Sequence, residues 1–185
     1  MENKAVKEYL ESMCALREMN KLCLKGYTYS CFEQYVLKNG KPYSSKHLTA
    51  PELVYLQGLV DAYGEGFPIK QCFYNSQKFL LDTEYYQDPD TFDLKYVEGY
   101  CLSIIPFLHG WLELNGKVVD FTLRARDPEK CYHRRLLPDR VLGEFTHRQY
   151  YGVSFNLEDV KSFVQRTQSG ASMLDNYREG FPLLK

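Results

Sequence analysis

The sequence predicts an α+β domain in which a cysteine-bearing helix packs on an antiparallel sheet. Helical patterns dominate the first part of the chain, and a helix of about 71–82 leads directly into strand-like segments. Asn115-Gly116 then joins two of those segments. Asn-Gly is the strongest short hairpin signal, because both residues accept positive φ in a type I′ turn. Helices followed by an antiparallel sheet are typical of the α+β class.

The length and composition predict one globular domain. A chain of 185 residues fits a single domain. Its core is expected at about 49–124, between an N-terminal helical part at 1–48 and a C-terminal strand, helix and tail at 125–185. The formal charge of −1 provides no overall field for nucleic acid or a membrane, so neither is an expected partner. The sequence does not determine the oligomeric state.

The cysteine usage and the N-terminal residues favour a reducing compartment. Residues 1–20 carry Lys, Glu and Arg throughout and lack the apolar run of a signal peptide. No stretch approaches the roughly 18 apolar residues of a membrane span. We therefore expect a cytoplasmic protein whose six cysteines are free thiols. A protein exported by a specialised route would have the same pattern.

Periodicity and capping signals place the helices before the sheet. Residues 4–19 read as an amphipathic helix, and a short helix near 30–38 precedes a turn at 39–42. Thr49-Ala50-Pro51-Glu52 has the cap, the first-turn proline and the capping-box acid of a helix start. Gly64 is expected to end that helix.

The remaining segments complete the expected order of elements. Residues 83–93 read as a polar loop and residues 94–104 as a strand. Residues 149–155 are expected to form the last strand, and Asn156 to cap a helix over 157–167. The tail that follows is expected to lie over the surface.

The hairpin register can be counted from its turn. Strands are expected at 108–114 and 117–123, and a two-residue loop sets Leu114 opposite Lys117. His109 then lies opposite Thr122, and Trp111 lies opposite Asp120. Because side chains alternate along strands, these four share one face, with His109 and Asp120 roughly 7 Å apart as diagonal neighbours. The register predicts a carboxylate that orients an imidazole.

Cys72 adds a nucleophile to that pair. A thiol attacks as the thiolate, which a helix N-terminus and a neighbouring imidazolium both favour. Cys72 is expected in the first turn of its helix, His109 as the base and Asp120 as the acid that orients the imidazole. Taken singly, Cys72 is more simply an inert buried thiol and His109 a core histidine. Their occurrence together with the counted register favours a catalytic triad.

At these residues the chain resembles the transglutaminase-like branch of the papain-like cysteine superfamily. The resemblance rests on Cys72 at a helix start, Tyr96-Val97-Glu98-Gly99-Tyr100, His109-Gly110-Trp111 and Val119-Asp120-Phe121-Thr122. The branch, whose arylamine N-acetyltransferase relatives share the Cys-His-Asp order, typically has His-Ala-Trp and Asp-Pro-Thr. Here Gly110 and Phe121 replace Ala and Pro. The resemblance covers about residues 70–124 and implies a papain-like fold, but no substrate and no cofactor.

Four further residues are candidates to support the triad. The resemblance implies an oxyanion hole built from the Cys72 backbone N–H and one more donor, for which Gln71 and Asn75 are both candidates. Trp111 is expected either to shield the contact between imidazole and carboxylate or simply to pack in the core. Glu98 is expected either to line the cleft or to be a solvated strand residue.

We therefore expect a thiol-dependent enzyme that transfers an acyl group from an amide, ester or thioester. Water as acceptor gives a hydrolase or peptidase, and an amine gives an acyltransferase. Its expected partner is a small-molecule or peptide acyl substrate. The alternative is a non-catalytic binding module that uses an aromatic cleft or the basic segment 124–140. A metal site is not expected, because Cys131 and His133 have no second pair at zinc-like spacing.

Overall fold

The computed structural model describes residues 4–22, 25–43, 46–68, 70–124 and 148–174. Three sequence expectations fall outside the described residues. They concern the basic segment 124–140 apart from the backbone of Arg124, the pair of Cys131 and His133, and the tail beyond residue 174.

An antiparallel sheet of five strands organises the described chain, which confirms the α+β class. The strands are β1 (Lys41–Tyr43), β2 (Leu94–Leu102), β3 (Pro106–Leu114), β4 (Lys117–Val119) and β5 (Gln149–Phe155). Their order across the sheet is β1-β5-β2-β3-β4. The central strands are therefore β5, β2 and β3, and the hairpin of β3 and β4 forms one side.

The helices begin and end close to where their caps predict. They are α1 (Lys4–Met19), α2 (Phe32–Asn39), α3 (Ala50–Tyr63), α4 (Cys72–Asp82), α5 (Phe121–Arg124) and α6 (Leu157–Thr167). Glu52 accepts the backbone N–H of Thr49 at 2.6 Å, and Gly64 ends α3 with a φ of +67°. Asn156 accepts the backbone N–H of Asp159 at 2.9 Å. These side chains replace hydrogen bonds that the helix ends lack. Within the described ranges, no helix is long and apolar enough to cross a bilayer.

The hairpin register is confirmed over all three residues of β4, which is the first part of the strand expected at 117–123. Leu114 pairs with Lys117 and Leu112 with Val119, and Asn115 and Gly116 have φ of +51° and +80°. The turn is also tied to α3, because Lys117 donates to Glu52 at 2.6 Å. The strand pairing ends at this point.

The expectation that β4 continues to residue 123 is wrong. Phe121–Arg124 is a short helix, so Thr122 does not lie opposite His109 in a strand. The physical reason is Asp120, whose Oδ1 accepts the backbone N–H of Thr122 at 3.1 Å, as a helix N-cap does. Phe121 takes the first helical position, where the resembling family has proline, a residue favoured at that position.

The two faces of the sheet have different roles. Gly110 faces α4, since a Cβ there would lie 2.9 Å from Phe73 Cδ1 and the Ser76 hydroxyl donates to its carbonyl at 3.4 Å. Glu98 is paired with Gly110, whereas His109 is paired with Gly99. Because side chains alternate, Glu98 lies on the face that carries α4 and His109 is directed to the other face.

Helices and sheet share one buried core. The helices contribute fully buried apolar side chains from their inner faces, namely Val6, Leu10, Val36, Leu56, Phe79, Leu80, Val160 and Phe163. The sheet contributes rings and aliphatic side chains, including Tyr96, Trp111, Leu112 and Tyr150. Much of the aromatic content is therefore structural.

Three local expectations differ from the structure. Lys41–Tyr43, expected partly as a turn, pairs with β5 as an edge strand. Glu84–Tyr86, within the expected polar loop, forms one 3₁₀ turn. Ser172, Met173 and Leu174 are buried instead of lying over the surface. For β1 and for residues 172–174, pairing or burial against residues distant in sequence decides the outcome, whereas local hydrogen bonds close the 3₁₀ turn.

Candidate functional site

Cys72 is the first residue of α4, and the local backbone exposes this end of the helix. Lys70 has a φ of +62°, and Gln71 caps the helix without a side-chain hydrogen bond. The first N–H groups of a helix have no partner within the helix and carry the positive end of its dipole. The Cys72 side chain is half-buried, so its thiol lies at this electropositive end with access to solvent.

His109 and Asp120 form a buried pair. Nε2 of His109 lies 2.7 Å from Oδ2 of Asp120, and their side chains are 2% and 1% exposed. β3 carries His109, while Asp120 follows the last residue of β4. The hairpin register predicted that His109 and Asp120 would be neighbours on adjacent strands. Their side chains do make contact, although Asp120 lies one residue beyond β4.

Asp120 is held by two further donors. The Tyr150 hydroxyl donates to Oδ2 at 3.1 Å, in addition to the Thr122 N–H on Oδ1. Hydrogen bonds to both oxygens restrict rotation of the carboxylate and favour its charged form. The carboxylate is therefore fixed in the orientation that the imidazole requires.

The charge state of His109 follows from its two neighbours. Burial alone lowers the pKa of His109, but the charge and hydrogen bond of Asp120, together with a hydrogen bond and charge from Cys72, raise it to about 9. His109 is thus an imidazolium at neutral pH. Because Nε2 is bonded to Asp120, Nδ1 is the ring nitrogen left for the Cys72 thiol.

Rings enclose the imidazole on the sheet face. The Trp111 ring lies roughly parallel to that of His109 at 6.1 Å between centroids, and the Phe107 ring meets it edge-on at 5.5 Å. Trp111 is fully buried and also packs against Tyr43 and Tyr150. Trp111 therefore packs in the core beside the imidazole. Its shielding of the contact between imidazole and carboxylate stays a prediction.

The two candidate oxyanion donors have different environments. Asn75 is buried, and its Nδ2 donates to the Pro68 carbonyl at 2.7 Å and to the Thr122 hydroxyl at 2.9 Å. Both of its N–H groups are thereby used to hold the loop before α4 and the helix α5. Gln71 is exposed and adjoins the thiol. The Asn75 amide is therefore already engaged, whereas the Gln71 side chain is exposed beside the first residue of α4.

Glu98 neither lines an open cleft nor meets solvent. It is fully buried on the α4 face, where it accepts hydrogen bonds from Tyr96 and from residues 172–174. Burial raises the pKa of Glu98 to about 7, against the four hydrogen bonds, which favour the carboxylate. Since it faces away from His109, it is not placed to replace Asp120.

Sequence reasoning missed two contributors to this site. Tyr150 was expected on a strand, but pattern alone does not reveal that β5 lies beside β2 and brings the hydroxyl to Asp120. The segment at 172–174 carries only a short apolar signal. The N-cap role of Asp120 had a usable signal, because Asp is a preferred N-cap residue.

Comparisons with protein-family models, with curated proteins and with solved structures find no match to this chain. A functional assignment therefore rests on the chain's own residues and geometry.

Proposed function

We propose that this protein is a thiol-dependent acyl-transfer enzyme with Cys72 as nucleophile, His109 as acid and base, and Asp120 as the orienting carboxylate. The observation that carries the proposal is the buried 2.7 Å contact between His109 Nε2 and Asp120 Oδ2, with Cys72 near enough to the same imidazole to help raise its pKa. A structural histidine needs no half-exposed thiol at a helix N-terminus as its second partner. The convergence of these three groups favours catalysis over a binding module.

The arrangement also supports membership of the transglutaminase-like branch of papain-like folds. The cysteine begins a helix that packs on the antiparallel sheet, the histidine lies on a strand, and the aspartate directly follows the neighbouring strand. This is the arrangement that the resemblance implies. Gly110, which departs from that pattern, lies where Phe73 of α4 approaches the sheet closely.

The reaction proceeds in two halves. The Cys72 thiolate attacks the carbonyl carbon of an amide, ester or thioester, and the bond to the leaving group breaks as His109 donates its proton to that group. The acyl group is now bound to Cys72 as a thioester. Water or an amine attacks the carbonyl carbon of this thioester, and His109 accepts a proton from the attacking water or amine. The carbon–sulfur bond breaks, and the thiolate is released beside the reprotonated imidazole. Asp120 retains its charge throughout and stabilises the imidazolium.

The carbonyl oxygen gains negative charge at each tetrahedral intermediate. The backbone N–H of Cys72 lies at the N-terminal end of α4, where such charge is stabilised. We propose the exposed Gln71 side chain as the second donor, because the Asn75 amide is already engaged on both N–H groups. Donors fixed in place before the reaction contribute most to such stabilisation.

Trapping of the acyl-enzyme tests the proposal. The protein is mixed with p-nitrophenyl acetate, quenched in acid and analysed by peptide mass spectrometry. We expect one acetyl group on Cys72, its removal by hydroxylamine and its absence from Cys72→Ala. Cys31→Ala, which alters a buried thiol directly before α2, serves as the matched control and should retain acetylation. Acetylation that is spread over several residues, or that persists in Cys72→Ala, would contradict the proposal.

A further inference from the structure

A buried carboxylate joins strand β2 to a segment far along the chain. Oε1 of Glu98 accepts the Leu174 N–H at 3.1 Å and the Ser172 hydroxyl, and Oε2 accepts the Met173 N–H at 2.8 Å. The Tyr96 hydroxyl also donates to Oε2, at 2.8 Å. Hydrogen bonds to a charged acceptor in a buried site are among the stronger ones in proteins. Glu98 therefore fixes the path of residues 172–174.

The same segment lies along α4. We call residues 170–174 the strap. Gln77 of α4 donates to the Ala171 carbonyl at 2.8 Å, and a Cβ on Gly170 would lie 2.7 Å from Tyr74 Cδ2. Met173 and Leu174 are 1% and 0% exposed. The strap thus covers the part of α4 that directly follows Cys72.

Tyr96 connects this arrangement to the nucleophile. Its ring is fully buried, and its hydroxyl would lie 3.0 Å from a Cβ on Gly110, at the point where Phe73 meets the sheet. Burial, then Glu98, and also the charge of Cys72 raise the pKa of Tyr96 well above its ordinary value. The hydroxyl that Glu98 orients is therefore within electrostatic range of the thiol.

We propose that the strap is a fixed part of the Cys72 site, and that Glu98 is a positioning residue that clamps the strap and orients Tyr96 beside the nucleophile. The positioning role rests on the proposed function, whereas the clamp does not. Glu98 acts through Tyr96 and α4 and does not touch the reacting atoms.

The clamp requires both oxygens of a carboxylate. Each oxygen accepts one backbone N–H, from Leu174 at Oε1 and from Met173 at Oε2. Glutamine has one carbonyl oxygen, so in either orientation its NH₂ group faces one of these N–H groups. A hydroxyl can rotate away from such a conflict, but a backbone N–H cannot. Glu98→Gln should therefore release the strap although it preserves side-chain size.

The first experiment measures hydrogen exchange of the Met173 and Leu174 amides in the full chain. We expect exchange in Glu98→Gln to be roughly tenfold faster or more, because a buried N–H loses its acceptor. Glu113→Gln is the matched control, since Glu113 is also buried on the sheet but bonds to Lys41 at 2.8 Å. Equal protection of the two amides in both variants would overturn the clamp.

The second experiment measures the pH profile of Cys72 alkylation by iodoacetamide. Tyr96→Phe removes the hydroxyl and retains the ring. The Met173 and Leu174 amides should therefore keep their protection from hydrogen exchange, while the pH profile of Cys72 alkylation shifts. Glu98→Gln should shift the profile as well. If the pH profile of Cys72 alkylation were unchanged in both Tyr96→Phe and Glu98→Gln, the positioning role of Glu98 would be overturned. If Glu98→Gln does not fold, Ser172→Ala tests the clamp by removing one donor from the strap.

The outcomes separate the two proposals. If Cys72 in the wild type reacts no faster than other thiols, the proposed function fails, and amide exchange still decides the clamp. If Cys72 is selectively reactive but its profile is the same in Glu98→Gln and Tyr96→Phe, the enzyme stands and the positioning role of Glu98 fails.

Discussion

At the scale of single residues, Asp120 has two roles that its position combines. It accepts the Thr122 N–H and so begins α5, and it contacts His109 through its other oxygen. The helix start explains why the chain leaves the sheet at this residue. The same change in chain direction fixes the carboxylate beside the imidazole. The start of α5 and the contact with His109 therefore both depend on the position of Asp120.

Replacement of Asp120 by Asn tests the orienting role. An amide retains the size of the side chain and can still cap α5, but it removes the charge and can favour the wrong imidazole tautomer. We expect the rate of acetylation of Cys72 by p-nitrophenyl acetate to fall on the order of 10²–10⁴-fold, the usual contribution of acid–base catalysis. Asp93→Asn, at an exposed site on the strand ends, is the control and should retain the wild-type rate. A rate within a factor of two or so of wild type would remove Asp120 from the mechanism.

The raised pKa of His109 predicts a dependence of stability on pH. An unfolded histidine titrates near 6.5, and the pKa of His109 in the folded chain is about 9. Its contribution to stability is therefore complete below pH 6.5 and is lost as the pH rises through 9. The difference in unfolding free energy between wild type and His109→Gln should be larger at pH 6 than at pH 9.5, measured by urea denaturation.

The control for this pH effect is His47→Gln, because His47 is exposed. Its difference from wild type should be small at both pH values. If the difference for His109→Gln grew toward alkaline pH, the buried imidazolium paired with Asp120 would be contradicted.

At the scale of elements, the close approach of α4 to β3 depends on Gly110. A Cβ at this position would lie 2.9 Å from Phe73 Cδ1, 3.0 Å from the Tyr96 hydroxyl and 3.3 Å from Phe73 Cα. The last of these is backbone and cannot rotate away. The helix that presents Cys72 therefore lies nearer to the sheet than an alanine would permit.

Gly110→Ala should consequently move α4 and lower stability. We expect a loss of about 1–3 kcal/mol, as for other overpacked sites, together with slower alkylation of Cys72. Gly58→Ala is the matched control, because it lies inside helix α3 and, among the described residues, its added Cβ meets nothing within 4 Å beyond its chain neighbours and its own helix backbone. Alanine there should be neutral or stabilising by up to about 1 kcal/mol. Equal effects of the two substitutions in thermal unfolding would contradict the close approach.

The sequence was sufficient for elements whose signals are local. The capping box at Thr49, the turn at Asn115-Gly116 and the start of α4 at Cys72 all depend on neighbouring residues. The pairing of β1 with β5 and the burial of the strap depend on residues far apart in the chain. Local patterns carry no information on such contacts, so Tyr150 beside Asp120 and the four bonds to Glu98 required the structure.

At the scale of the whole molecule, the sheet separates two sets of polar groups. His109 and Asp120 are enclosed by rings on one face, whereas Glu98, Tyr96 and the strap lie on the face that packs against α4. Cys72, at the start of α4, lies near enough to His109 and Tyr96 to help raise the pKa of both groups. The fold thus places the half-buried thiol of Cys72 near the buried pair of His109 and Asp120.

Competitive alkylation of the cysteines tests this account most directly. Wild type and His109→Ala are treated with limiting iodoacetamide at pH 7, and the label on each cysteine is quantified by peptide mass spectrometry. We expect Cys72 to react first in the wild type, and its rate to fall about tenfold or more in His109→Ala, because an isolated thiol is only a few per cent ionised at that pH. Labelling of Cys72 no faster than that of Cys14, or a rate unaffected by His109→Ala, would contradict the account.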